Sequence, residues 1–291
     1  MHLEIRTALE ESLGEAVQGA SMLGGGDINE AYEVRLAGGG AVFVKTNSAV
    51  ASAGAMFEAE ARGLRWLDAA GELRVPRVLA VSRGTEQCPA FLALEYLRPG
   101  RRVSDFDERL GRGLAALHRF GADGFGLDHD NFIGRLPQAN QPCETWAEFY
   151  RERRLGAQLR LAEKSGLASR GMLRGFDELF ARLDTLVGPS EPPARLHGDL
   201  WGGNLHVDDA GHPCLIDPAV YGGHREVDLA MMKLFGGFGP RVFSAYAEAY
   251  PLLPGHAERV ALYQLYPLLV HVNHFGVGYV ASVEGALRRT L

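Results

Sequence analysis

His197-Gly-Asp199-Leu-Trp-Gly-Gly-Asn204 is followed by a short apolar run, Pro213 to Ile216, that ends at Asp217. This stretch supplies three oxygen-bearing side chains with complementary uses. Asp199 can orient an attacking hydroxyl and accept its proton. Asn204 and Asp217 offer hard oxygen ligands, and magnesium binds through one or two carboxylates together with substrate phosphates. A carboxylate, an amide five residues on and a second carboxylate downstream are the groups that phosphoryl transfer from a nucleotide needs. The expected assignment is Asp199 as base and Asn204 with Asp217 as magnesium ligands.

Other residues take their meaning from this centre. Protein kinases carry His-Arg-Asp where this chain has His197-Gly-Asp199, and the departure points to phosphorylation of small molecules. His197 reads as a structural residue that holds the loop through backbone hydrogen bonds. Lys45 is one of only three lysines (45, 164 and 233) in a chain with 30 lysines and arginines together. At the end of a strand its ammonium would sit against nucleotide phosphates as a fixed point charge. Its partner should be a glutamate on the following helix, Glu60 in preference to Glu58. Gly24-Gly25-Gly26-Asp27 precedes that strand, where backbone N–H groups of a glycine-rich loop can approach phosphate oxygens. Glu95 and Leu97, at the end of a buried strand, offer a backbone carbonyl and N–H to an adenine edge. Trp201 has two readings, core aromatic or wall of an acceptor pocket. Tyr221, His224, Arg225 and Glu226 follow Asp217 closely and are candidates to line that pocket. Asp228 opens an apolar helix, either as its cap or as an acceptor for catalytic-loop N–H groups.

The elements that must position these residues can be read from periodicity. Residues 4–19 look helical, and glycines 24–26 then break the pattern. Ala31 to Leu36 and Ala41 to Lys45 alternate with period two around Gly38-Gly39-Gly40, which predicts a β-hairpin. Met56, Phe57, Ala61, Leu64 and Leu67 recur at helical spacing over 51–70. Val75-Pro76 starts an extended segment and Ala90 to Leu97 reads as a strand, ended by Arg98-Pro99-Gly100. Beyond 103 the pattern is mainly helical, over 104–120, 143–164, 170–187, 226–235, 240–250 and 255–275. Short strands near 205–208 and 213–217 interrupt it. The expected class is α+β, with a small sheet-rich N-lobe (1–97) that binds nucleotide phosphates. A larger, mainly helical C-lobe (98–291) would carry the catalytic loop, metal ligands and acceptor site.

Composition excludes several other classes. A formal charge of −6 leaves no basic footprint for nucleic acid. The most apolar stretch, Val260 to Val283, is broken by Gln264, Pro267, His271, Asn273 and His274, which suits a buried helix better than a membrane span. The N-terminus has no secretory pattern. Cys88, Cys143 and Cys214 lack metal-ligand spacing and read as free thiols in a reducing cytoplasm. Oligomeric state is left open by the sequence.

With these residues assembled, the chain resembles the fructosamine kinase (ketosamine-3-kinase) family, a relative of aminoglycoside and choline kinases. The resemblance runs over nearly the whole length. It rests on Gly24-Gly-Gly-Asp-Ile-Asn29, Val42-Phe-Val-Lys-Thr-Asn47, Phe57 to Leu64, Glu95-Tyr-Leu97, Asn131-Phe-Ile-Gly134 with Pro137 to Asn140, and Trp146-Ala-Glu-Phe-Tyr150. The catalytic-loop block, Asp217 to Tyr221, Gly223-His-Arg-Glu226 and Leu234 to Phe238 complete it. It implies a two-lobed protein-kinase-like fold and phosphorylation of the sugar 3-hydroxyl of a ketosamine by ATP and Mg2+, on a small molecule or a protein. The resulting phosphate makes the adduct unstable and releases the amine. Mapped onto this chain it implies Lys45 and Glu60 at the phosphates and Phe132 to Asn140, Trp201 and 221–226 at the acceptor. Two positions depart from the family: some members have Cys where this chain has Asp27, and a second Tyr where it has Gly222. The alternatives are a kinase of another hydroxylated amine, such as an aminoglycoside or choline, and a nucleotide-binding module without catalysis.

Overall fold

The computed structural model describes residues 1–24 and 29–291. The chain forms two compact units, residues 1–104 with 206–218 and residues 105–205 with 219–291. The return of 206–218 to the first unit is not contained in a single cut after residue 97.

In the first unit, α1 (Leu3–Leu13) is followed by strands β1 (Val17–Leu23), β2 (Glu30–Leu36) and β3 (Ala41–Asn47). Helix α2 (Ala53–Asp68) comes next, and then β4 (Val78–Ser82) and β5 (Ala90–Glu95). The five strands make one antiparallel sheet in the order β1-β2-β3-β5-β4. The predicted hairpin is present, with Leu36 N–H donating to Gly40 O at 2.9 Å and Gly39 at φ +85° in the turn. The helix expected over 4–19 is shorter than predicted. Gly14 adopts φ +67° and its N–H closes α1 on Glu10 O, a left-handed stop that glycine tolerates. The chain beyond it becomes an edge strand, four of whose seven residues are exposed, so no alternation marks it. Side chains alternate across the sheet. Val42, Val44, Phe91 and Ala93 pack with Ile5 and Leu9 of α1, which leaves Lys45 directed to the opposite face, toward α2.

The second unit begins with α3 (Phe106–Phe120) and a hairpin of β6 (Asn131–Ile133) and β7 (Leu136–Gln138). The helix expected over 143–164 is three pieces: α4 (Trp146–Phe149), a π-helical turn (Tyr150–Leu155) and α5 (Gly156–Lys164). Then come α6 (Arg170–Leu186) and β8 (Ala194–Leu196). Strands β9 (Leu205–Val207) and β10 (Pro213–Leu215) pair with each other. Arg74 ties the 206–218 segment into the first unit, reaching Asp208 at 2.5 Å and Glu95 at 2.8 Å. Strand β11 (Tyr221–Gly223) pairs antiparallel with β8, followed by α7 (Glu226–Phe235), α8 (Pro240–Ala249), α9 (His256–Phe275) and α10 (Val280–Thr290). The three-residue strands β6, β7, β8 and β11 are too short to show periodicity, and α10 lies beyond the last predicted element.

Helix α9 is apolar on most of its circumference because it runs through the core, with Leu262, Leu265, Leu269 and Val272 each at most 1% exposed. Among the described residues no helix is long and apolar enough to cross a membrane. Helices α3 and α8 approach closely at Gly111, where a Cβ would lie 2.3 Å from Val242 O and 2.9 Å from Ala245 Cβ. Gly111→Ala therefore has to push the helices apart, and overpacking of this kind costs about 1–3 kcal/mol. Urea unfolding should show that loss. An unchanged midpoint would mean that the two helices are not locked together there.

Candidate active site

The first unit brings Lys45, Glu60 and Asp217 together. Lys45 Nζ donates to Glu60 Oε1 at 2.9 Å and to Asp217 Oδ1. Glu58, the other candidate on α2, pairs with Arg83 instead. Burial alone would lower the Lys45 ammonium, but the two carboxylates reverse this and hold it above its ordinary range. Burial raises Glu60, and the charge of Asp217 adds to that rise. Asp217 is the one non-glycine among the described residues with positive φ, at 53°. It also precedes Pro218, a position that disfavours compact backbone conformations. Such a conformation persists only where surrounding structure imposes it, and it is concentrated at functional sites.

Glu95 closes β5 with its N–H donating to Arg77 O at 2.8 Å. Burial pushes its carboxyl up, but Arg74 and the Arg77 N–H prevail and hold it below the usual range. That side chain serves the sheet edge, leaving any contact with a base to the backbone of Glu95 and Leu97. Gly25, Gly26 and Asp27 lie outside the described residues.

The second unit builds the candidate catalytic loop directly after β8. His197 is fully buried, and its Nδ1 accepts the Asp199 N–H at 3.3 Å, the structural role read from the sequence. Asn204 Nδ2 donates to Asp199 Oδ2 at 3.0 Å and to Asp199 O at 2.8 Å, fixing the orientation of the carboxylate. Gly198 adopts φ +82°, and a Cβ there would lie 2.0 Å from Ala219 O. No arginine can occupy this position, so the Gly in place of the kinase Arg is a packing requirement.

Asp228 holds the loop from behind. Its Oδ2 accepts the His197 N–H at 2.8 Å, and its Oδ1 accepts the Gly198 N–H at 2.9 Å. His118 Nε2 lies 3.2 Å from Oδ2, and His118 Nδ1 is 2.8 Å from Tyr246 OH. Of the two readings of Asp228, the structure supports the loop acceptor. Burial raises its carboxyl, but His118, His197 and the Gly198 N–H outweigh this and hold it low. His118 and Tyr246 had no signal in the sequence, since each sits on a helix face that reads as core.

The expected acceptor residues divide. Trp201 is 42% exposed and its ring covers Gly203, where any Cβ would meet it at 2.3 Å. Tyr221, His224, Arg225 and Glu226 are buried, and each has partners inside this unit. Tyr221 lies under the Arg154 guanidinium at 3.8 Å. His224 stacks on Tyr263, and burial holds its imidazole below the usual range. Arg225 is bonded to Glu191 and to the carbonyls of Tyr250 and Pro251. Glu226 forms a two-point pair with Arg259 at 2.6 and 2.9 Å. The segment crosses the interior between β11 and α7, so its polar groups must satisfy one another.

An exposed aromatic patch lies elsewhere in this unit. Gly202 abuts Gly236 and Gly237, with an added Cβ 3.1 Å from Gly237 Cα, so the loop beside Trp201 meets the end of α7. Phe235 there stacks on His271 at 4.4 Å, and His271 contacts Phe275 and Tyr279. Phe235, Phe275 and Val277 remain exposed. His274 Nε2 lies 3.1 Å from Ile133 O. Burial holds both His271 and His274 below the ordinary imidazole range. The polar residues that interrupt the apolar run of α9 were the available signal for this surface.

An antiparallel five-stranded sheet unit, a mainly helical unit and a His-Gly-Asp loop with a following Asn and Asp define a protein-kinase-like phosphotransferase fold. An aminoglycoside phosphotransferase of 16% identity shares that fold over 99% of both chains, with a TM-score of 0.65. The family model described as fructosamine kinase matches residues 1–291, and the chain belongs to that family. A probable ketoamine kinase of Synechocystis is 39% identical over 277 residues, covering 94% of this chain and 91% of the relative. A chloroplastic protein-ribulosamine 3-kinase of Oryza sativa subsp. indica is 36% identical over 94% of this chain and 79% of its own. The crystal structure of a Thermobifida fusca protein assigned as a fructosamine-3-kinase superposes with a TM-score of 0.87 at 39% identity, covering 98% of each chain.

The depressed Asp228 carboxyl has a consequence for stability. Its contribution is present above the unfolded value of about 3.9 and is lost as pH falls through the lower folded value. Asp228→Asn should cost roughly 3–5 kcal/mol at pH 7, the usual effect of removing one partner of a buried pair. Urea unfolding at pH 7 and pH 3 should show a smaller difference for the variant than for the native chain. An equal difference would remove Asp228 from the acid-sensitive groups.

Proposed function

We propose that the protein is an ATP-dependent kinase of the 3-hydroxyl of ketosamines, the adducts of sugars with amines. The observation that carries this reading is the clamped catalytic loop, in which Asn204 aims Asp199 and Asp228 anchors the backbone, in a chain of the fructosamine kinase family.

The residues divide the work by their chemistry. Asp199 orients the sugar hydroxyl and takes its proton. A strongly basic carboxylate is not required, because phosphoryl transfer passes through a loose transition state in which positioning dominates. Lys45, kept charged by its two carboxylates, is suited to the nucleotide phosphates, with Gly25, Gly26 and Asp27 as the covering loop. The Glu95 carbonyl and Leu97 N–H are assigned to the base. The donor set fits magnesium: Asp217 carries a carboxylate with 44% of its side chain exposed. Asn204, its Nδ2 committed to Asp199, offers the amide oxygen. Magnesium would neutralise charge on the phosphates. A phosphate on C3 lies next to the C2 carbonyl; enolisation toward C1 gives a C1=C2 enaminol from which phosphate leaves C3, and hydrolysis of the resulting C1 imine releases the amine.

Trp201, with Phe235 and the neutral imidazoles of His271 and His274, supports an acceptor surface for sugar and amine faces. A polycationic aminoglycoside calls for acidic groups, and here Glu191 and Glu226 are already neutralised by Arg225 and Arg259. Three thiols without disulfide partners suit a reducing cytoplasm.

The decisive experiment is a panel of ribulose-, erythrulose- and fructose-amines, aminoglycosides and choline, with ATP consumption as readout and NMR to locate the new phosphate. Turnover of ketosamines at O3 is expected. Turnover confined to aminoglycosides or choline would replace the reading, and no turnover with MgATP would leave a binding module. Asp199→Asn should lower kcat by about 10²–10⁴-fold, the usual contribution of a positioned base, with nucleotide affinity retained. Asp217→Ala should weaken metal–nucleotide binding as well. Near-native kcat in Asp199→Asn would exclude it as the base.

A further inference from the structure

Arg154 is fully buried, and among the described residues no carboxylate pairs with it. A guanidinium stays protonated, and an unpaired charge in the interior is among the most unfavourable groups a core can hold. Its environment compensates with oriented acceptors and ring faces. Nη1 donates to Ala139 O at 2.7 Å and Nη2 to Asn140 Oδ1 at 2.7 Å. The guanidinium carbon lies 3.8 Å from the Tyr221 ring centroid, 4.6 Å from that of Phe149 and 5.5 Å from that of Tyr266. Nε has no hydrogen-bond partner.

The backbone is adapted to this placement. Arg154 lies in the π-helical turn, closed by the Gly156 N–H on Arg151 O. A Cβ at Gly156 would come 2.8 Å from that oxygen. Such insertions re-aim one residue of a helix and are frequent at functional sites.

The groups around Arg154 converge on three consecutive residues. Asn140 Nδ2 donates to Asn131 Oδ1 at 2.8 Å, and Asn131 Nδ2 donates to Val220 O at 2.8 Å. Gln138 Nε2 donates to Asn131 Oδ1 at 2.7 Å and to Ala219 O at 3.1 Å. Tyr266 OH donates to Gln138 Oε1 at 2.5 Å. Ala219 and Val220 are thus held by their carbonyls and Tyr221 by its ring. This segment supports the catalytic loop: Ala219 N–H donates to His197 O at 2.9 Å, and Ala219 O is the atom against which Gly198 packs. Gln138 and Asn140, which lie in the stretch assigned to the acceptor site on sequence, are buried in this network together with Asn131.

We infer that Arg154 is a positioning residue for phosphoryl transfer, acting through Asn140, Gln138 and Tyr221 to set residues 219–221, and with them the backbone of His197-Gly198-Asp199. An apolar side chain could fill the same space without the cost of a buried charge. What it could not supply is a flat donor fork and a cation against the Tyr221 ring at once. Lysine keeps the charge and loses the fork.

The inference rests on the kinase reading, and wild-type turnover in the acceptor panel tests that reading first, without any variant. The inference itself is then tested on ratios to wild type. Arg154→Met and Arg154→Lys should each lower kcat at least tenfold, with KM for ATP and for the acceptor within about threefold of wild type. Tyr266→Phe, which removes only the hydroxyl that holds Gln138, should lower kcat by a smaller factor, also at unchanged KM. A merely structural role predicts lower thermal midpoints with kcat of the folded fraction intact. That pattern, or a loss confined to KM, would overturn the inference. Should Arg154→Met not fold, native kcat in both Arg154→Lys and Tyr266→Phe would overturn it equally.

Discussion

The His197-Gly-Asp199 loop depends on a buried carboxylate that accepts two consecutive backbone N–H groups. Asp228 receives the N–H groups of His197 and Gly198 and is itself held by His118. Backbone donors at such a bend have no secondary-structure partner, and left unpaired in the interior they would be costly. One carboxylate resolves both and fixes the direction in which the chain leaves β8. Everything chemical about the loop follows from that direction: the Asp199 N–H meets His197, Asn204 reaches back to Asp199, and Gly198 must be glycine.

The first unit follows a different electrostatic logic. Lys45, Glu60 and Asp217 form a cation between two carboxylates, so the ammonium stays charged despite its burial. The exposed half of this arrangement belongs to Asp217, whose backbone is held in a conformation that few non-glycine residues adopt. An ion pair on a sheet face and a carboxylate in an uncommon backbone conformation beside it are the features on which the proposed nucleotide-phosphate site rests.

Two pairings of the candidate site were legible before any fold was known, and other features were not. Lys45 with Glu60, and Asp199 with Asn204, could be paired on paper because each pair lies on adjacent elements with readable periodicity or within one loop. For the cluster Tyr221, His224, Arg225 and Glu226 the sequence showed polar residues near the motif but not their interior partners. In the folded chain Arg225 pairs with Glu191 and Glu226 with Arg259. The hairpin of β6 and β7 and the pair β8 and β11 escaped notice for a simpler reason, since three residues cannot display alternation. Strand β1 escaped because an edge strand with one fully buried residue has no apolar face to announce it.

The amino-acid sequence by itself determined the chemistry: which side chains carry oxygen, charge and an aromatic face, how they are spaced within one loop, and which segments can be helix or strand. These are local properties, set by residue type and by the periods of helix and strand. Tertiary structure alone decided the rest. It brought Asp217 to Lys45 across 172 positions, assigned Asp228 to the loop and not to its own helix, and placed Arg154 beneath residues 219–221. Such pairings are settled by which buried polar groups satisfy one another once the chain has closed, and that is a property of the whole fold and not of any window along it.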